Sequence, residues 1–247
     1  RAVHGAFQDF NRRKKALRAA PDLTGRAEWL TTACRRVLAS LGMSVATDGP
    51  IPAHGLIVSN HLSYLDILCY SSIAPSIFVS KSEVRGWPVF GRLATNGGTI
   101  YVDRKSRRDA GRVAREIENA LKNGIRVVLF PEGTSTGGDT VLPFHAPLLE
   151  SAIRAEVAVT PSAISYEMEQ GDPRQDVCYW GDMAFATHFL GLLGKGTVHA
   201  SIAFGTARGD FTDRKTAARV LHKDVVALHN RLCGAKDEDC VQAAERK

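Results

Sequence analysis

The stretch RVVLFPEGTSTGG, residues 126–138, starts as an apolar run and ends as a glycine-rich loop. Within it, Gly133-Thr134-Ser135-Thr136-Gly137 spells G-x-S-x-G, the pattern with which serine hydrolases present a nucleophile on a sharp turn from strand into helix. Residues 136–147, TGGDTVLPFHAP, bring two glycines and two prolines before any helical pattern begins. The sequence therefore predicts that Ser135 belongs to a substrate-binding loop, and a serine esterase or lipase that uses Ser135 remains the alternative.

The rest of the chain alternates between strand-like and helix-like segments on both sides of this stretch. A chain of 247 residues, 44% of them hydrophobic, can bury one large core. This alternation predicts an α/β fold, a single layered domain with a mixed, largely parallel sheet flanked by helices. Apolar β-rich runs lie at 55–59, 77–80, 99–102, 126–130, 157–164 and 198–204, and helical patterns lie near 64–74, 106–122, 146–155, 184–194 and 213–232.

The N-terminal segment, residues 1–43, accounts for the whole net charge of +6, because it holds nine Lys or Arg residues and three acidic ones. It reads as an amphipathic pair of short helices separated by residues 21–25. Apolar side chains beside a basic face are typical of helices that lie in a lipid interface. We therefore expect residues 1–43 to dock on an anionic membrane surface and residues 44–247 to form the catalytic domain, with packing of the helices on that domain as the alternative. The apolar stripe of the second helix comprises Trp29, Leu30, Ala33, Val37, Leu38 and Leu41.

Several functional classes are disfavoured by what the sequence lacks. A recognised nucleic-acid-binding motif and a repeated basic–aromatic pattern are both missing, so no nucleic-acid partner is expected. No apolar run is long enough to span a bilayer and no apolar signal region opens the chain, which predicts a peripheral or monotopic protein on the cytoplasmic side of a membrane. The histidines show no metal-ligand spacing such as HExxH, so no metal is predicted.

The stretch NHLSYLD, residues 60–66, follows a strand-like run and precedes a helical pattern. His61 therefore lies in a strand-to-helix turn, where the active sites of open α/β sheets gather. With Ser63 as the N-cap, Asp66 is the third helical residue and its carboxylate points back at the turn. It can then accept a hydrogen bond from one imidazole nitrogen and leave the other as a general base. The same Ser-x-x-Asp spacing is also an acidic capping box, which needs no catalysis.

Four ordered blocks, NHLSYLD, GTIYVDR, FPEGT and VTP, carry a resemblance to a known family. The chain resembles the glycerolipid acyltransferases, and 1-acylglycerol-3-phosphate acyltransferases in particular. The resemblance implies an O-acyltransferase that moves a fatty acyl group from acyl-CoA or acyl-carrier protein to the free hydroxyl of a lysophospholipid, with no other cofactor. His61 is then the general base and Asp66 orients it, as the two ends of the HX4D motif.

The resemblance also implies substrate contacts at positions that match the four blocks. The arginine of the second block, Arg104, is associated with the acceptor phosphate, and a planar guanidinium suits that task. Lys81 is expected from its position after a strand to stabilise the oxyanion of acyl transfer, although a surface lysine is the alternative. The full set of expected substrate-binding residues is Asn60, Lys81, Gly98, Thr99, Arg104, Glu132, Gly133, Thr134, Ser135 and Pro161.

One position departs from the family pattern. The family often has arginine after EGT, whereas this chain has Ser135, which removes one cation from the expected phosphate site. The expected acceptor is 1-acylglycerol-3-phosphate, whose acylation gives phosphatidate. Another lyso-lipid, such as lyso-ornithine lipid with no phosphate, is the alternative.

Overall fold

The computed structural model describes residues 4–5, 7–9, 11–12, 22–103, 107–193 and 195–245, with 107–108 and 235–245 described by their backbone alone. Residues 4–5, 7–9 and 11–12 are helical. The strands are β1 (Met43–Asp48), β2 (Leu56–Ser59), β3 (Ile77–Lys81), β4 (Ile100–Val102), β5 (Val127–Leu129), β6 (Val159–Met168) and β7 (Val198–Phe204). The helices are α1 (Leu23–Ser40), α2 (Leu65–Ile73), α3 (Phe90–Asn96), α4 (Arg107–Lys122), α5 (Glu150–Ala155), α6 (Pro173–Asp176), α7 (Phe185–Leu192) and α8 (Arg214–Glu245), with short 3-10 turns at Ser82–Gly86 and Pro147–Leu149.

The seven strands form one sheet in the order β1-β7-β6-β2-β5-β3-β4. Every neighbouring pair is parallel except β6 with β7, so β1 and β7 run against the other five strands. The prediction of a mixed, largely parallel sheet is confirmed. Because β2 to β6 all run the same way, their carboxyl ends meet at one edge, where open α/β sheets place their ligands.

Helices cover both faces of the sheet, and each face has its own buried core. On one face α1 and α2 pack against strand side chains such as Ile57 and Val128. On the other face α4, α5 and α8 pack against Leu56, Val58 and Val127. Side chains alternate between faces along a strand, so neighbouring residues of β2 and β5 belong to different cores. The strands therefore read as continuous apolar runs.

Helix α1 belongs to the packed body of the protein. It begins at Leu23, because the Asp22 carboxylate caps it by accepting a 2.8 Å hydrogen bond from the Gly25 N–H. The predicted linker at 21–25 therefore already includes the first helical turn. Arg26 donates to the Asn96 carbonyl at 2.9 Å and Arg35 to the Ser72 carbonyl at 2.6 Å. The apolar stripe is buried except at its last member, with Trp29, Leu30, Ala33, Val37 and Leu38 buried and Leu41 half-buried.

Three elements were not predicted from the sequence: β1, α3 and the four-residue α6. β1 pairs with β7 at the edge of the sheet, and only Met43 of its six residues is buried, with Val45 half-buried, so its apolar alternation is too short to identify a strand. α3 has seven residues and follows a tight turn at Val89 (φ +64°, ψ −59°), where the Phe90 N–H donates to the Pro88 carbonyl. This is a γ-turn, which is strained for a β-branched residue. α8 also continues to Glu245, beyond its predicted end near 232.

Candidate active site

His61 and Asp66 form a hydrogen-bonded pair in the turn between β2 and α2. The His61 Nδ1 atom lies 2.7 Å from Asp66 Oδ2. Helix α2 begins at Leu65 with Tyr64 as its N-cap, so Asp66 is its second residue and not its third. The carboxylate nevertheless points back at the turn as predicted. It engages one imidazole nitrogen and leaves Nε2 for a substrate, which is the arrangement of a general base and its orienting group.

The Asp66 carboxylate is fully buried and accepts three further hydrogen bonds. Oδ2 accepts from the N–H groups of Leu62 at 2.7 Å and Ser63 at 3.1 Å, while Oδ1 accepts from the Tyr166 hydroxyl at 2.6 Å. A buried carboxylate is costly unless its lone pairs are satisfied, and here both oxygens are. The Ser63 contact is one half of a capping box. The other half is missing, because the Ser63 hydroxyl has no hydrogen-bond partner within the described structure.

Asn60 fixes the turn from the other side. Its side-chain amide donates to the Ile164 carbonyl at 3.0 Å and accepts from the Ile164 N–H at 2.9 Å, which ties the end of β2 to β6. The side chain is buried and lies outside the cavity that His61 lines. These contacts hold the turn in place, and the expected contact of Asn60 with substrate stays a prediction.

The Glu132 side chain holds His61 in place by a hydrogen bond to its backbone. Its Oε1 atom accepts from the His61 N–H at 2.7 Å, and its Oε2 atom accepts from the Leu142 N–H at 2.7 Å. The carboxyl group is buried, and this burial raises its pKa to about 7, against the smaller opposing effect of the two N–H donors. Glu132 thus holds the His61 turn and the loop after β5 together, with its carboxylate committed to backbone groups.

A cavity of about 160 Å³ opens beside His61 at the carboxyl edge of the sheet. Of the expected site residues, the structure brings Lys81, Gly133, Thr134 and Ser135 together with His61 around this cavity. Gly133 has φ +76°, a conformation that glycine adopts without strain, and its N–H closes a turn onto the Phe130 carbonyl. The His61 ring stacks on Phe130 with ring centroids 4.3 Å apart. The rest of the lining is mainly apolar and aromatic: Leu30, Tyr64, Ile67, Leu68, Val79, Ser80, Val84, Trp87, Phe90, Leu93, Ala94, Phe130 and Tyr179.

The loop that contains Ser135 is not a nucleophile elbow. β5 ends at Leu129 and the next helical turn begins at Pro147, so no helix starts beneath Ser135. The Ser135 hydroxyl donates to the Tyr179 carbonyl. The structure therefore favours the substrate-binding loop over the serine esterase or lipase.

Other expected contacts lie away from His61. Gly98 and Thr99 precede β4 and so lie at the amino end of that strand, at the opposite edge of the sheet from His61. Gly98 instead packs close to Leu23 of α1. Pro161 lies within β6 and lines a separate cavity with Gly205 and α8, on the opposite face from Tyr166. Arg104 lies outside the described residues.

The sequence interpretation missed Tyr166 and the aromatic wall of the cavity. Tyr166 is 100 residues from Asp66 along the chain, and no local pattern connects the two. The wall is built from separate segments: Tyr64 packs edge-on against Phe90, Tyr179 and Phe185 at centroid distances of 5.2 to 5.5 Å. The one available signal was the density of aromatic residues in 179–189, which contains Tyr179, Trp180, Phe185 and Phe189.

Two absences hold for the described part of the chain. No group of three or more His, Cys, Asp or Glu side chains suited to a metal ion occurs within the described ranges. None of the helices seen there is long and apolar enough to cross a bilayer.

The chain is similar in sequence to known acyltransferases. Residues 44–165 match the family model described as Acyltransferase. The chain is 39% identical over 191 residues to the lyso-ornithine lipid O-acyltransferase of Brucella abortus (strain 2308), covering 70% of each chain. It is also 39% identical over 140 residues to the 1-acyl-sn-glycerol-3-phosphate acyltransferase of Neisseria meningitidis serogroup B, covering 56% of this chain and 55% of that relative.

The fold is likewise similar to a solved structure. The crystal structure of the 1-acyl-sn-glycerophosphate acyltransferase PlsC from Thermotoga maritima superposes with a TM-score of 0.60 at 20% sequence identity. The match covers 85% of this chain and 79% of that one. At this identity the likeness concerns the fold, and it agrees with the α/β architecture described above.

Proposed function

The chain belongs to the acyltransferase family, and from this premise we propose that it transfers a fatty acyl group from a thioester to the free hydroxyl of a lyso-lipid. The observation that carries the proposal is the 2.7 Å contact between His61 Nδ1 and the buried Asp66 carboxylate beside an apolar cavity. The pair supplies a base, and the cavity supplies an environment for hydrocarbon. Acyl-CoA or acyl-carrier protein is the proposed donor.

The chemistry follows from the position of His61. Its Nε2 atom accepts the proton of the acceptor hydroxyl while the hydroxyl oxygen attacks the thioester carbonyl carbon. The tetrahedral intermediate collapses with cleavage of the C–S bond, and the departing thiolate takes the proton back from the imidazolium. The products are an ester and a free thiol, and no acyl-enzyme forms. Asp66 keeps the imidazole in the productive orientation and stabilises its protonated form.

Lys81 is the proposed source of oxyanion stabilisation. It lies at the end of β3 and lines the same cavity as His61. A cation beside the developing negative charge lowers the barrier to acyl transfer. Gly133 and Thr134 complete this side of the cavity, and we propose that they contact the acceptor.

Residues 1–43 remain the proposed membrane-docking segment, ahead of a catalytic domain formed by residues 44–247. α1 buries its apolar stripe in the protein, so its contribution to docking is its basic face, where Arg36 is exposed. Before α1, Phe7 packs on the body of the protein, with its ring centroid 6.4 Å from that of Trp29 and the Arg92 guanidinium above it. We propose that the segment binds anionic lipid on the cytoplasmic side of a membrane.

The first proposed acceptor is 1-acylglycerol-3-phosphate, whose acylation gives phosphatidate. Lyso-ornithine lipid is the second, and two observations favour it. Ser135 places a neutral side chain in the cavity where the family often has arginine. The match to the Brucella relative also extends over more of this chain than the match to the Neisseria relative, 70% against 56%.

A panel assay tests the proposal. Labelled acyl-CoA and acyl-carrier protein are offered with lysophosphatidate and lyso-ornithine lipid in detergent to the wild type, His61→Ala and Ser135→Ala. We expect transfer that requires His61 and largely survives Ser135→Ala. Acyl transfer at the wild-type rate in His61→Ala would contradict the proposed mechanism. Hydrolysis without transfer, abolished by Ser135→Ala, shows an esterase instead.

A further inference from the structure

Helix α7 carries no charged residue on the side that faces solvent, where leucine and Thr187 are exposed. Residues 183–194 contain no Asp, Glu, Lys or Arg. Leu190 is 66% exposed and Leu193, directly after the helix, is 52% exposed. A surface helix normally presents charged or polar residues to water, so an outward face of leucine marks a contact with something apolar.

The inner side of α7 forms part of the structure around the catalytic cavity. Phe185 packs on Trp87 with ring centroids 4.5 Å apart, and Phe189 packs on Phe90 at 5.5 Å. Both Trp87 and Phe90 line the cavity that contains His61. The aromatic side chains of α7 therefore pack directly on two residues of the cavity lining.

Hydrogen bonds fix α7 in this position. The His188 Nδ1 atom lies 3.1 Å from the hydroxyl of Tyr64, which lines the cavity, and its Nε2 atom lies 3.0 Å from the Cys178 carbonyl. The only ionisable side chain of residues 183–194 is thus turned inward and bonded. Nothing charged remains on the outward face of the helix.

A third exposed apolar residue is adjacent in the chain to the same aromatic residues. Val89 is 40% exposed and occupies the strained γ-turn between Trp87 and Phe90. Strained backbone concentrates at functional positions. Helix α3, which follows Val89, also carries Arg92, and this guanidinium covers Phe7. α3 thus connects the α7 region with the basic N-terminal segment proposed to bind lipid.

We infer that Val89, Leu190 and Leu193 form a second membrane-contact surface, the α7 surface, which inserts into the hydrocarbon boundary of a bilayer. The occupant is lipid because the surface is uncharged, adjoins an apolar cavity and is linked through α3 to the basic segment. Apolar faces of this kind enter the interface by roughly 5–10 Å. The inference rests on the proposed function, and it explains how a lyso-lipid leaves the bilayer for His61 without passing through water.

The two membrane contacts differ in their physical basis, which makes them separable. Attraction between a basic segment and anionic lipid is screened by salt, since the Debye length falls to about 3 Å at about 1 M. Burial of leucine in hydrocarbon is not weakened by salt. Vesicle binding that persists at high salt should therefore depend on the α7 surface.

The test measures co-sedimentation of the full chain with vesicles of phosphatidylethanolamine and phosphatidylglycerol at low and high salt. The double variant Leu190→Glu, Leu193→Glu should bind vesicles at high salt about tenfold more weakly than the wild type, or weaker still, because two leucines are no longer buried in the bilayer. Ile51→Glu is the matched control, because Ile51 is 39% exposed and lines a different cavity. Equal binding by the wild type and the double variant overturns the inference.

A second variant reports insertion directly. The fluorescence of Leu190→Trp should shift to shorter wavelength on vesicles and be quenched by brominated lipid. The wild-type signal is subtracted first, because it comes from Trp29, Trp87 and Trp180. An unshifted and unquenched signal overturns the inference. A third result would also overturn it: the double variant has a lower mass than the wild type by light scattering, while its vesicle binding is unchanged. The leucines would then bind a second copy of the chain.

Transfer assays separate this inference from the proposed function. The double variant should acylate a monomeric short-chain lyso-lipid at the wild-type rate and acylate the same headgroup in vesicles at least several-fold more slowly. Equal losses with both acceptors contradict a docking role. The wild type could acylate no lyso-lipid while the double variant still binds vesicles more weakly than the wild type. The proposed acceptor class would then be wrong, and the α7 surface would still be a membrane contact.

Discussion

The Tyr166 hydroxyl donates a 2.6 Å hydrogen bond to Asp66 Oδ1, on the oxygen that His61 does not use. Tyr166 is itself buried in β6, on the face of the sheet that carries α2. The Asp66 carboxylate is therefore held from both sides, by the turn that contains His61 and by a strand distant in sequence. We regard Tyr166 as a positioning residue, since it acts on substrate only through Asp66.

Tyr166→Phe should lower kcat by about tenfold to a hundredfold, because a hydrogen bond to a charged group typically contributes about 1.5–3 kcal/mol. KM for donor and acceptor should stay near the wild-type values, since Tyr166 does not line the cavity. Steady-state kinetics of acyl transfer at saturating donor measures both quantities. Tyr70→Phe is the matched control, because Tyr70 is also a buried tyrosine but its hydroxyl bonds only to Ser59 and Ser162. Equal losses of kcat in the two variants would assign Tyr166 a purely structural role.

The protonation of Glu132 should make the free energy of unfolding depend on pH. Burial raises the pKa of Glu132 to about 7, whereas the ordinary value of 4.5 applies to the unfolded chain. The folded protein therefore holds this proton more tightly. Its contribution to stability is fully present below about pH 4.5 and is lost as the pH rises through about 7.

Glu132→Gln removes this titration. The free energy of unfolding of the wild type relative to Glu132→Gln should fall by up to about 3 kcal/mol between about pH 4.5 and about pH 7. Urea unfolding at a series of pH values measures it. Glu28→Gln, which removes an exposed carboxylate from α1, is the control for the change in net charge. A difference between wild type and Glu132→Gln that stays constant with pH would contradict the prediction.

Local patterns predicted the parts of the site that are close in sequence. His61 and Asp66 are five residues apart across one turn, so helix geometry alone brings the carboxylate to the imidazole. The exact start of α2 was wrong by one residue without changing this result, because the second and third helical residues both lean back toward the turn. The six apolar runs likewise predicted six of the seven strands, since strands buried on both faces are continuously apolar.

Motif order alone does not tell which end or face of a strand the motif residues occupy. Gly98 and Thr99 belong to the second block, yet they enter β4 at its amino end, away from His61. Pro161 of the fourth block sits on the face opposite Tyr166 because side chains alternate along β6. Tyr166, five residues further along the same strand, contacts Asp66 instead. Such placements depend on strand direction and register, which only the assembled sheet determines.

Gly91 of α3 packs so closely on the 3-10 turn before the helix that no side chain should fit at this position. A Cβ atom added there would lie 2.3 Å from the Arg85 carbonyl oxygen and 2.7 Å from that of Val84. Gly91→Ala should destabilise the protein by about 1–3 kcal/mol, because both obstacles are backbone atoms. Gly111→Ala should instead stabilise it by about 0.5–1 kcal/mol, since Gly111 lies in α4 and, among the described residues outside its own helical turn, no atom comes within 4 Å of the added methyl group. Thermal unfolding measures both, and a shift of the two variants in the same direction would contradict the packing described for α3.

Ser135 should determine how strongly the enzyme prefers a phosphate-bearing acceptor. It lines the cavity with His61 and Lys81, so Ser135→Arg adds a cation close to the site of transfer. The ratio of kcat/KM for lysophosphatidate to that for lyso-ornithine lipid should rise by about tenfold, because arginine pairs with phosphate oxygens through charged hydrogen bonds. Ser135→Gln is the control for added size without charge and should leave the ratio near its wild-type value. If Ser135→Gln changes the ratio as much as Ser135→Arg does, then the volume of the side chain and not its charge selects the acceptor.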